Sequence, residues 1–121
     1  THIEDDFAQL RQAGGYDHNY VVEGEPGTLR PAAWARSSRT GVVMSTETTL
    51  PGIQFYTANF IEQGRPGKGD TVYGPRHAFC LETQFFPDSP NQPRFPSCIL
   101  RAGERYDHTT RYVFSVSREE M

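Results

Sequence analysis

The chain has 121 residues, enough for one domain and no more. A hydrophobic share of 36% and a charged share of 22% are too apolar and too balanced for a disordered tail, and no run approaches the roughly 18 apolar residues that a membrane helix needs. Twelve Lys and Arg against fifteen Asp and Glu give a net charge of −3, which argues against a general nucleic-acid or anionic-membrane binder, since both need a basic excess.

Fifteen aromatic residues and twenty Gly or Pro suit short strands joined by turns. Residues 1–12 read as a short helix: Thr1 and Glu4 have capping-box spacing, and Ile3, Phe7 and Leu10 fall on one helical face. Gly14-Gly15 ends it. Tyr20 to Val22 is a strand, stopped by Gly24, Pro26 and Gly27. A second strand is expected around Trp34, from Ala32 to Arg36. Val42 to Thr49, rich in Val and Thr, is a third. Pro51-Gly52 breaks it, and Ile53 to Asn59 follows as a fourth. Residues 64–70 read as a surface loop. Ala78 to Phe86 is a strand, and 87–96, with four prolines, is an irregular excursion that no central ladder would accept. Cys98 to Arg101 and Tyr112 to Ser117 complete a tally of seven strands, with 102–104 as a turn between them. Strands without intervening long helices point to an all-β fold, best a β-sandwich, with a closed barrel as the alternative.

The strand 78–86 carries the most telling residue. Alternation puts Ala78, Cys80, Glu82, Gln84 and Phe86 on one face and Phe79, Leu81, Thr83 and Phe85 on the other. Glu82 is thus an acid in mid-strand among apolar neighbours. It is either a solvated side chain on an open face or a partly buried general base, and spacing leaves both open. Gln54 and Tyr56 share a face of the 53–57 strand, where they either meet ligand hydroxyls or face water. Gly14 to Tyr20 packs flexible, aromatic and polar residues into seven positions, which suits either a binding loop or an Asx turn built on Asp17.

No metal site is expected. Asp17 and His18 are adjacent and point apart in an extended segment, and His2, His77 and His108 lack ligand spacing. Tyr106 to Thr110 reads as a strand-entry turn. Cys80 and Cys98 are too few for a disulfide scaffold; a single bridge is open, but a reduced pair in a cytoplasmic protein is favoured.

Taken in order, several runs resemble the C-terminal part of the aldose 1-epimerase (galactose mutarotase) family. They are Gly14 to Tyr20, Thr48 to Phe60, Phe79 to Gln84, Phe86-Pro87-Asp88, Asn91 to Pro96 and Leu100 to Tyr106. Ala58 stands where the family has Gly, Leu50 where it has Gln, and Ser37-Ser38-Arg39 where it often has Ser-Gly-Arg. The resemblance implies that residues 1–121 are the C-terminal portion of one large antiparallel sandwich domain, whose N-terminal portion is not in this chain. It implies anomer interconversion of monosaccharides such as galactose and glucose, with Glu82 as the base and Asp17 and Gln54 as sugar contacts. Neither cofactor nor metal is expected, and neither nucleic acid nor membrane as a partner. The proton-donating histidine would come from the N-terminal portion, so the chain alone is expected to be inactive or only a sugar-binding fragment. Missing strands would leave apolar faces uncovered at Ile53, Phe55, Phe79, Leu81 and Phe85.

Overall fold

A computed structural model describes residues 2–62, 64 and 66–117. Among these, one short α-helix, two single 3-10 turns (Lys68–Asp70 and Ser89–Asn91) and six strands form: α1 (Ala8–Ala13), β1 (Asp17–Val21), β2 (Arg30–Arg36), β3 (Val42–Thr48), β4 (Gly52–Tyr56), β5 (Cys80–Gln84) and β6 (Thr110–Val116). They make two three-stranded sheets, ordered β1-β4-β5 and β2-β3-β6. The chain is therefore all-β, in keeping with the sandwich expectation. No helix among the described residues is long and apolar enough to cross a membrane. The chain divides into two compact units, Thr1–Tyr20 with Gln54–Glu82, and Val21–Ile53 with Thr83–Met121.

In the first unit, α1 is shorter than its sequence pattern suggests. Its N-cap is Phe7, which offers no side-chain cap, and Thr1 of the expected capping box lies outside the described residues. Leu10 alone of its residues is buried. Gly14, at φ 67°, accepts the left-handed backbone that closes the helix, and its N–H turns back to Arg11. β4 ends at Tyr56, not Asn59, because Ala58 adopts φ 52° and breaks the extended run. Ala58 is nonetheless buried, 2% exposed. An L-residue there gives up about 1–2 kcal/mol relative to glycine, and burial of the methyl returns part of it.

In the second unit, β3 lies between β2 and β6, antiparallel to both. Its β-branched residues suit a central strand, and Val43, Thr46 and Thr48 are buried. The β2–β3 register slips between Pro31 and Ala33, where proline has no N–H for the ladder. The 37–41 turn closes through the Gly41 N–H on Ser37 O (2.8 Å) and the Thr40 N–H on Ser37 Oγ (3.2 Å).

The main polar feature of this unit is Arg30, 8% exposed. Its guanidinium donates to five backbone carbonyls: Nε to Glu23, Nη1 to Thr28 and Thr48, Nη2 to Val22 and Leu50, at 2.8–3.3 Å. A buried cation is tolerated because every donor of the fork is satisfied.

The expected strand at 98–101 does not form; those residues are irregular, and Ile99 and Leu100 are exposed. Pro96, just ahead of this short apolar run, has no N–H to give to a ladder. The residual apolar surface follows expectation at Phe79, 47% exposed, and departs from it elsewhere. Ile53 is buried, whereas all seven residues of β6 are exposed, Phe114 and Val116 at 66% each, with Trp34 at 63% on β2.

Candidate active site

Asp17, Gln54 and Glu82 fall on β1, β4 and β5, three neighbouring strands, and all three belong to the first unit. Their shared face follows from the aromatic rings. Tyr16 meets Phe55 with centroids 5.0 Å apart, and Phe55 meets Phe79 at 6.4 Å. These rings mark one side. Alternation then turns the next residues, Asp17, Gln54 and the Cys80–Glu82 pair, to the other.

The structure joins two of the three directly: Gln54 Nε2 donates to Asp17 Oδ1 at 2.7 Å. This fixes the orientation of both side chains. It also leaves Gln54 Oε1 as a buried acceptor without a hydrogen-bond partner among the described residues.

Glu82 sits at the centre of β5 and is exposed, with intermediate burial on both flanks. The partial burial considered for it is not supplied by the described residues. Its neighbour two positions back, Cys80, is on the same face. Burial first, then the charge of Glu82 and a hydrogen bond to it, push the Cys80 thiol above its ordinary value. Both Cys80 and Cys98 are free.

Three residues outside the sequence reading tie down the segment ahead of Asp17. Thr57 pairs with Tyr16 in both directions: the Tyr16 N–H reaches Thr57 Oγ1 and the Thr57 N–H reaches Tyr16 O, each at 3.0 Å. Asn59 Nδ2 donates to Ala13 O (3.1 Å) and Tyr16 O (2.9 Å), and Asn59 Oδ1 accepts from Thr57 Oγ1 at 2.7 Å. Arg76 Nη2 donates to Gly14 O at 3.0 Å. Gly15 has no room for a side chain, since a Cβ would overlap Asn59 Oδ1 and lie 2.8 Å from Arg76 Nη1. The sequence pattern puts Thr57 and Asn59 inside the expected 53–59 strand, where nothing marks them out; which carbonyls they meet depends on the fold.

A cavity of about 230 Å³ lies against Tyr16, His18 and Tyr20 with Phe7 and Leu10, and none of Asp17, Gln54 or Glu82 lines it. The candidate site is an open sheet face, not that cavity.

The family model for aldose 1-epimerase matches residues 1–113. The chain is 47% identical over 103 residues to galactose mutarotase of Homo sapiens, covering 85% of this chain and 30% of that protein. It is 42% identical over 117 residues to galactose mutarotase of Mus musculus, covering 97% and 32%. It is 37% identical over 106 residues to aldose 1-epimerase of Escherichia coli (strain K12), covering 86% and 30%. The chain thus spans about 30% of the length of the curated relatives it matches.

Proposed function

The chain belongs to the aldose 1-epimerase family, and from that premise we propose that it supplies the base and part of the sugar site of an enzyme interconverting the α and β anomers of aldohexoses such as galactose and glucose. Glu82 takes the proton of the C1 hydroxyl. A general acid from the rest of the same protein protonates the ring oxygen as the C1–O5 bond breaks. The open-chain aldehyde rotates about C1–C2, and the steps reverse on its other face, returning each proton. Asp17 accepts hydrogen bonds from sugar hydroxyls, and Gln54, paired with it, is a further sugar contact. Each acid or base group is worth about 10²–10⁴ in rate.

The observation that carries this reading is the 2.7 Å hydrogen bond that pairs Asp17 with Gln54, on the sheet that also bears Glu82. The experiment is polarimetry of freshly dissolved α-D-galactose with the enzyme that carries this chain. Glu82→Gln keeps shape and loses basicity, and its kcat falls at least about 100-fold. Retained activity would remove Glu82 from the role.

A second reading applies to residues 1–121 by themselves: a sugar-binding β-sandwich piece without turnover. The exposed Phe114, Val116 and Trp34 favour it, because apolar surface on open strands calls for cover from the remainder of the protein or from another copy. Sedimentation and polarimetry of this chain alone would then give an associating species at the buffer rate. A monodisperse, active monomer would overturn that reading. A cytoplasmic setting is part of the proposal, on the strength of the two free thiols.

A further inference from the structure

We propose that Asn59, Thr57 and Arg76 are positioning residues that aim the Asp17 carboxylate at the sugar, an inference that rests on the sugar-holding reading of Asp17. Four neighbouring residues lead into Asp17, and three of their carbonyls are held by side chains from the 57–76 stretch: Ala13 by Asn59, Gly14 by Arg76, Tyr16 by Asn59. The Tyr16 N–H is held by Thr57. The remaining residue, Gly15, lies so close to Asn59 and Arg76 that it has no space for a Cβ. The backbone entering Asp17 is therefore bound at nearly every polar group. Gln54 then fixes the carboxylate itself.

The arrangement is more than a loop anchor. Asn59 is oriented at both ends of its amide, with Oδ1 accepting from Thr57 while Nδ2 donates twice. Thr57 is buried, and its hydroxyl links Asn59 to the Tyr16 backbone. Arg76 is brought to Gly14 by a left-handed backbone, φ 66°, and by its own N–H on Ala58 O at 3.0 Å. Thr57 and Asn59 are bonded to each other, Arg76 holds the same residues 13–16 separately through Gly14, and Asp17 is the first side chain beyond them. A shift in those residues displaces a charge-bearing contact, and hydrogen bonds to charged groups are the ones most sensitive to aim.

Asn59→Asp keeps the shape and removes both donors, placing oxygen against two carbonyls. In the enzyme that carries this chain, KM for galactose rises about tenfold, as expected for two lost hydrogen bonds, while kcat stays within about twofold. The deciding measurement is the same change in an Asp17→Ala background, where the Asn59 effect on KM shrinks to about twofold or less because its target is gone. Arg76→Ala, at an exposed position, guards against misfolding of the first variant; KM rises about threefold for one lost bond, again only when Asp17 is present. An Asn59 or Arg76 effect of equal size in both backgrounds, or a loss confined to kcat, overturns the inference. If Asp17→Ala raises KM and neither variant does, the positioning claim fails while the sugar reading stands. If Asp17→Ala leaves KM unchanged, both fall together.

Discussion

Gln54 Nε2 donates a 2.7 Å hydrogen bond to Asp17 Oδ1, so two residues 37 positions apart act as one unit on adjacent strands. The pair behaves differently from two independent sugar contacts. Removal of either side chain also frees the other from its fixed orientation.

For that reason Asp17→Ala is expected to weaken sugar binding more than Gln54→Ala, since charge-assisted bonds are worth about 1.5–3 kcal/mol and neutral ones about 0.5–1.5. The double variant loses less than the sum of the two, by about 0.5 kcal/mol or more, because both single changes break the shared bond. Calorimetric titration of the enzyme with galactose checks both points. Strict additivity, or the reverse ranking, would show that the pair is not coupled at the sugar.

The thiol of Cys80 reports on Glu82. Burial and the neighbouring carboxylate both hold it above its ordinary value, which suppresses the nucleophilic thiolate. Cys80 is therefore expected to react with iodoacetamide at pH 8 several-fold more slowly in the parent enzyme than in Glu82→Gln, in which the negative charge is gone. Equal alkylation rates at Cys80, read by peptide mass spectrometry, would mean that the two groups do not sense each other.

Asp88 takes φ 61° and accepts from the side chains of both Asn91 and Gln92 at 2.6 Å. The Gln92 bond first, then that of Asn91, lowers its carboxyl below the ordinary 3.8. A carboxyl lowered by folding adds stability that is complete above the ordinary value and is lost as pH falls through the lowered one. Asp88→Asn tolerates the same backbone and cannot titrate. Its urea midpoint is expected to change less than that of the parent below about pH 4. Parallel pH profiles for the two proteins would exclude the loop as a source of acid lability.

Arg30 makes the most demanding stability test. Replacement by Met strips five carbonyls of their donor, and even with some rehydration the loss should be about 3 kcal/mol or more. Arg30→Lys restores only part of it, because an ammonium has three donors and no planar fork. Chemical denaturation that finds Lys equal to Arg would show that charge, not fork geometry, holds the 22–28 and 48–50 segments.

What was legible in the sequence is what depends on local chemistry. Runs of Val, Thr and aromatic residues between Gly and Pro marked the strands containing Trp34, Val43, Ile53 and Leu81, because backbone preference and alternation act over a few residues. The motifs around Asp17, Gln54 and Glu82 carried the family resemblance, because they are contiguous runs. The errors arose where a neighbour decides. Ile99 and Leu100 are apolar enough for a strand but pair with no strand among the described residues, and Ala58 ended β4 early by a backbone angle that Ala rarely adopts. Only the tertiary structure could join Asp17 to Gln54, thread Asn59 and Arg76 around residues 13–16, or gather five carbonyls onto Arg30. Those bonds link residues distant in sequence, and a hydrogen bond is decided by ångström-scale placement that no local pattern encodes.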